Sequence, residues 1–99
     1  MTFDIKAGSD GTIAFFGRLD AAHCAAAQAF VDAKPECTVY DFTQLEYISS
    51  AGLGVLLRVQ KRLLPSGQKL KLCKVSSHIF DIFRFSGFDQ VFDVQRAGS

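Results

Sequence analysis

The stretch Val39-Tyr-Asp-Phe-Thr-Gln-Leu-Glu-Tyr-Ile-Ser-Ser-Ala-Gly-Leu-Gly-Val-Leu-Leu57 organises the whole chain. Val39 to Phe42 reads as the end of a short buried strand, and Thr43 to Ser49 as a polar turn. From about Ser50 the residues Leu53, Leu56, Leu57, Leu63 and Leu64 follow the i, i+3, i+4, i+7 spacing of a core-facing helix. That spacing predicts a helix from about Ser50 to Leu64. A serine pair therefore stands where strand gives way to helix. There the first N–H groups lack partners and the helix dipole favours added negative charge.

Downstream, Arg58, Lys61 and Arg62 fall outside the apolar stripe, and the last two suit the C-terminal end of a helix. Pro65-Ser-Gly67 stops the helix, and Lys69 to Cys73 alternates as a strand. Ser76-Ser77 can cap a further helix with Ile79, Ile82 and Phe83 on one face, Phe80 at its side, and Gly87 as its C′ residue. Gln90 to Val94 reads as a last short strand, and Arg96 to Ser99 as a frayed tail.

Upstream, Cys37 to Phe42 is a strand ending at Asp41 or Phe42. An alanine-rich segment from Asp20 to Asp32 is a helix with Asp20 as its natural N-cap, and Pro35 forbids its continuation. Thr12 to Phe16 and Phe3 to Lys6 read as two further strands around a Gly8–Gly11 turn. The resulting order is β-β-α-β-α-β-α-β over residues 1–99. That order implies one α/β domain with a central mixed sheet, parallel in its middle, and helices packed against it.

Ninety-nine residues, nearly half of them apolar, suffice for one core. A net charge of +1 gives no general attraction for nucleic acid or an anionic membrane. No apolar run approaches the roughly 20 residues of a membrane span. The Met1-Thr-Phe-Asp-Ile-Lys6 start lacks the pattern of a secretion signal, so a cytoplasmic location is the expectation. Cys24, Cys37 and Cys73 are odd in number and widely spaced, which argues against disulfides and zinc. They read as small buried hydrophobes, with Cys24 the best candidate for an exposed thiol.

Several chemistries use a glycine-bearing turn before a helix, and the residues reject most of them. Gly54 is followed by Val55 where a Walker loop needs lysine. Gly52 and Gly54 lack the third glycine of a dinucleotide fingerprint, and neither serine has a glycine two residues before it as in a hydrolase elbow. The only histidines, His23 and His78, lie near the starts of other helices. These residues leave two readings of the serine pair: a plain helix cap, or a hydroxyl placed for phosphorylation.

Three segments carry a resemblance that covers nearly the whole chain. Gly17-Arg-Leu-Asp20 is similar to a G-x-L-D motif. Tyr40-Asp-Phe-Thr43 followed by Tyr47-Ile-Ser-Ser-Ala-Gly-Leu-Gly54 is similar to D-[LF]-[ST] then D-S-[ST]-G-L-G. Phe85-Ser-Gly-Phe-Asp-Gln-Val-Phe92 is similar to L-T-G-L-x-x-x-F. In this order they resemble the STAS domain (sulphate transporter and anti-sigma factor antagonist), in its single-domain form a bacterial anti-sigma factor antagonist.

Registering on Gly52 places Ser50 at the family's phosphorylated position. Ser49 takes the place of the usual aspartate, as a lesser candidate acceptor, and Ala51 that of a second hydroxyl residue. The resemblance implies a non-catalytic partner switch without cofactor or metal. Unmodified, it would bind an anti-sigma factor that is itself a serine kinase, freeing a sigma factor, and a phosphatase would reset it. The implied contact surface takes Ser49, Ser50, Ala51, Gly52, Gly54 and Arg58 along the helix. Asp20, Asp41 and Thr43 would join it from the C-terminal ends of the strands; their plain readings are helix cap and turn residues. The expected state is a monomer or weak dimer. The alternative is a small cytoplasmic STAS subunit of a membrane lipid-transport complex, docked through the same helix with Ser50 as a structural cap.

Overall fold

The computed structural model describes residues 3–8 and 10–97. Strands β1 (Phe3–Ala7) and β2 (Thr12–Leu19) form a hairpin, and α1 (Cys24–Asp32) leads to β3 (Val39–Ile48). Helix α2 (Ser50–Leu63) and a 3-10 turn (Leu64–Ser66) lead to β4 (Lys71–Val75). Helix α3 (Ser77–Ser86) and a second 3-10 turn (Phe88–Gln90) lead to β5 (Asp93–Arg96). The five strands lie in the order β1-β2-β3-β4-β5, with β1 antiparallel to β2 and the other pairs parallel. The mixed sheet, parallel in its middle, is the architecture expected from the element order.

Each crossover advances one strand in the same direction, so right-handed connections put the helices on one face of the sheet. Burial along β2 agrees. Ile13, Phe15, Gly17 and Leu19 are buried, while Thr12, Ala14, Phe16 and Arg18 between them are half-exposed. Phe15 packs at 5.1 Å from Tyr40 and 5.2 Å from Phe42, ring centre to ring centre, beneath the helices. Truncating such a core ring typically costs about 3–5 kcal/mol.

Several boundaries differ from the sequence reading, among them the end of β2, which runs on past Gly17 to Leu19, and the start of β3, at Val39 rather than Cys37. The segment Thr43–Ile48 is strand, not turn. The inward residues of β3 are Tyr40, Phe42, Leu45 and Ile48, so the alternation breaks twice. The β2–β3 register shifts between Ala14 and Phe16 and again between Gly17 and Arg18, leaving β3 one residue longer at each place. Such bulges keep Leu45 and Ile48 pointing inward while polar Thr43, Gln44 and Glu46 stay outside.

Helix α1 begins at Cys24, with His23 rather than Asp20 at the N-cap. The Asp20 carboxylate instead accepts the Ala22 N–H at 3.2 Å, an Asx-type turn that uses up its capping capacity one turn early. Strands β4 and β5 start two and three residues later than expected. In β4 the inward residues Leu72 and Val75 are three apart because Lys74 adopts φ 56. Arg96 is part of β5 rather than a tail, and residues 98–99 lie outside the described ones. Phe80 is half-buried at the edge of the core; the exposed phenylalanine is Phe85, at 78%. Among the described residues no helix is long and apolar enough to cross a membrane.

Candidate functional site at the start of helix α2

The two adjacent serines have different jobs. Ser49 is the N-cap of α2: its backbone is extended and its Oγ accepts the Gly52 N–H at 3.2 Å. Its own N–H donates to the Leu19 carbonyl at 3.0 Å, and its carbonyl accepts the Leu53 N–H at 2.9 Å. Ser49 is thus committed on three sides and half-buried. Ser50 is the first helical residue and is exposed, and its hydroxyl engages no partner among the described residues. The cap role expected of Ser50 belongs to Ser49. The N–H groups of Ser50 and Ala51 remain open to solvent at the positive end of the helix.

Gly52 and Gly54 differ in the same way. A Cβ on Gly52 would sit 2.7 Å from the Leu19 carbonyl oxygen and 2.9 Å from Ile48 Cγ1. The first turn of α2 therefore lies against the paired ends of β2 and β3, and only glycine permits that approach. A Cβ on Gly54 would meet nothing nearer than the Arg58 guanidinium at 4.0 Å. The fold does not need glycine there. What its absent side chain leaves is a shallow, smooth surface one turn from Ser50, flanked by exposed Ala51 and Arg58.

Arg58 is steadied by α1. It donates to Gln28 Oε1 at 3.0 Å, Gln28 donates to Asp32 Oδ1 at 2.9 Å, and Arg62 donates to the same Asp32 oxygen at 2.8 Å. Exposed pairs of this kind contribute little stability but fix the orientation of the side chains. Cys24, half-buried at the start of α1, donates its thiol to the Asp20 carbonyl at 3.0 Å. Burial first, then the Asp20 carboxylate, push that thiol above its ordinary range, with Arg58 opposing. It is a half-buried, hydrogen-bonded thiol, in keeping with the structural reading of the cysteines rather than with the exposed reactive alternative.

Asp20 follows Leu19, which pairs with Ile48, so it stands beside the start of α2. Its carboxylate is 2.9 Å from His23 Nδ1 and 3.9 Å from Arg18 Nε. The same His23 nitrogen lies 3.1 Å from the Arg18 carbonyl, so one Nδ1–H serves both oxygens. The Arg18 guanidinium in turn lies 4.1 Å from the centre of the Tyr47 ring. Sequence reasoning missed this stack, because the pairing of Arg18 with Tyr47 depends on the second bulge.

Asp41 and Thr43 lie elsewhere. Asp41 pairs with Ala14 and Cys73 in mid-sheet, not at a strand end. Its carboxylate accepts the Thr43 N–H at 2.9 Å and the Thr43 hydroxyl at 2.5 Å. Both residues line a small cleft of about 240 Å³ with Phe16 and Lys74. Seven residues separate Asp41 from Ile48, on the order of 20 Å at about 3.3 Å per strand residue. They do not form one patch with Ser50. The geometry brings together Asp20, Ser49, Ser50, Ala51, Gly52, Gly54 and Arg58, and leaves out Asp41 and Thr43.

No histidine contacts Ser50, since His23 is held by Asp20 and Phe3 and His78 is exposed on α3. Among the described residues no group of histidine, cysteine and carboxylate side chains is arranged to hold a metal ion. The arrangement presents a hydroxyl without activating it.

The family model described as "Mlab, STAS domain" matches residues 3–95. The chain belongs to the STAS domain family. It is 42% identical over 66 residues to the "Putative anti-sigma factor antagonist BtrV" of Bordetella bronchiseptica, a region that is 67% of this chain and 57% of that protein. The match thus spans little more than half the length of that relative. Two solved structures share the fold. An anti-sigma factor antagonist from Mycobacterium paratuberculosis superposes with a TM-score of 0.72 at 19% identity, covering 95% of this chain and 84% of that one. The Bacillus cell fate determinant SpoIIAA in its phosphorylated form gives 0.65 at 21% identity, covering 94% and 90%.

Proposed function

We propose that this STAS domain is an anti-sigma factor antagonist, a non-catalytic partner switch thrown by phosphorylation of Ser50. The observation that carries the reading is the division of labour in the serine pair. Ser49 is locked as the cap, whereas the Ser50 hydroxyl is exposed, unengaged and one turn from the open Gly54. A relative named as an anti-sigma factor antagonist and a structural neighbour solved in a phosphorylated form support it.

In this reading the unmodified face Ser50, Ala51, Gly54 and Arg58, with Asp20 at its border, receives the backbone of an anti-sigma factor. That partner is a serine kinase, and its capture releases a sigma factor in the cytoplasm. Phosphorylation adds about −1.5 to −2 charges at Ser50. The helix terminus accommodates that charge through the open Ser50 and Ala51 N–H groups, so the domain stays folded. The partner is excluded by the bulk and by the cost of desolvating the phosphate. A loss of about 3 kcal/mol weakens binding more than 100-fold. A serine phosphatase restores the original surface.

The test is phosphorylation by the purified kinase partner followed by site mapping and calorimetric titration. Phosphate is expected on Ser50 alone. Ser50→Asp should lose at least about 100-fold in affinity with unchanged melting. Ser49→Ala should still be phosphorylated but lose about 1 kcal/mol of stability, as for other cap deletions. Phosphate on Ser49 would overturn the assignment. A protein never modified in its host, and bound constitutively through α2, would favour the docked transport subunit.

A further inference from the structure

The exposed face of α2 ends in a second feature, independent of Ser50. A cleft of about 620 Å³ opens between the C-terminal end of α2, the loop after it and the 3-10 turn before β5. Its volume lies within the roughly 300–1,000 Å³ of small-molecule sites. The apolar lining comes from Leu57, Leu64 and Val91, and Leu64 is 63% exposed although it is a large aliphatic residue. Its floor is fixed rather than loose. Gln60 is buried, accepts the Leu70 N–H at 2.7 Å and donates to the Gln68 carbonyl at 3.0 Å.

The charges at the rim all have one sign. Lys61 and Lys69 line the cleft and no carboxylate does. Lys69 Nζ is drawn across the mouth by the Gln90 carbonyl at 3.3 Å. The end of a helix would ordinarily repel an anion. Here the terminal carbonyls are occupied: Leu63 accepts from Ser66 Oγ and the Gln68 N–H, and Leu64 accepts from the Gly67 N–H. An apolar trough with a cationic rim and engaged carbonyls fits a ligand with an apolar body and one negative end.

We propose that this cleft binds an amphiphilic anion, an unbranched acyl chain ending in a carboxylate. The chain lies on Leu57, Leu64 and Val91, and the carboxylate pairs with Lys61 and Lys69. The site is distinct from the serine turn, at the other end of the same helix.

The test is amide chemical-shift mapping of the full chain with sodium decanoate and sodium dodecanoate below their micellar concentrations, and with 1-decanol. Saturable shifts are expected at Leu64, Gly67, Gln68 and Val91, with those at Ser50 and Ala51 unmoved. Each added methylene should tighten binding up to about fourfold. The exposed double variant Lys61→Glu/Lys69→Glu should weaken dodecanoate at least about tenfold, and Leu64→Glu should abolish saturation. Neither substitution touches the core, so both should melt like the parent. The proposal is overturned by scattered or non-saturating shifts, or by 1-decanol binding as tightly as decanoate. It is equally overturned if the same amides shift on concentration alone, which would mean that a second copy covers the cleft.

Discussion

The two ends of helix α2 are built on opposite principles. At the N-terminal end the residues are small and the contacts are made by backbone: Ser49 holds Leu19 and Gly52, and Gly52 lets the helix touch the strand ends. At the C-terminal end the residues are long, and a side chain, Gln60, replaces backbone pairing by holding Gln68 and Leu70. Small residues leave a smooth surface on which one added group changes everything. Long residues leave a trough whose shape tolerates change but whose floor does not. One helix therefore offers two kinds of surface about 20 Å apart, at 1.5 Å per residue from Ser50 to Leu64.

The largest expected effect is at the C-terminal end. Gln60→Ala strips partners from the Leu70 N–H, which is buried, and from the Gln68 carbonyl. An unsatisfied buried donor costs about 1–3 kcal/mol, and the cavity adds to it. A loss of about 3 kcal/mol is expected in urea unfolding, with a fall in melting temperature of about 10–20 °C for a domain of this size. A loss under about 1 kcal/mol would show that the loop holds itself and that the contrast between the two ends is superficial.

Gly52→Ala comes next. The added methyl would lie 2.7 Å from a backbone oxygen, which cannot move without shifting the end of β2. Overpacking of this kind costs about 1–3 kcal/mol, offset by up to about 1 kcal/mol of better helix propensity. A net loss of about 1–2 kcal/mol is expected in the same unfolding experiment. A neutral result would mean that α2 rides more loosely on the strands than its contacts indicate.

What the sequence disclosed follows the same division. Helix α2 was legible because Leu53, Leu56 and Leu63 keep one period on its buried face. Polar Gln60 shares that face, and Leu64, expected to face the core, is exposed where the helix gives way to the 3-10 turn. The period did not group the serine pair, the glycines and Arg58; the family resemblance did, and within that group Gly52 is buried while Ser50, Ala51 and Arg58 are exposed. Asp41 and Thr43 were drawn into that patch because the strand was expected to end beside them. It runs on to Ile48 through two bulges, and a bulge erases the two-residue alternation on which strand reading depends. Which serine caps, and why only one of the two glycines is obligatory, depends on Leu19, thirty residues upstream of Ser49. That proximity exists only once β2 and β3 are paired.

The smallest expected effect is the most informative, because its two readouts should move in opposite directions. Gly54 has ordinary helical geometry and open space where a Cβ would stand, with only the Arg58 guanidinium at 4.0 Å. Gly54→Ala should therefore stabilise the domain by about 0.5–1 kcal/mol, through lower entropy of the unfolded chain and better helix propensity. If the surface beside Ser50 receives a partner backbone, the same methyl should weaken that complex by about tenfold or more, since close approach is what glycine provides there. A more stable protein with weaker binding would mean that Gly54 serves the interface at some expense to the fold. A more stable protein with unchanged binding would place the partner's footprint nearer Asp20 and leave Gly54 without a role. The comparison needs only a melting curve and one titration on the same preparation.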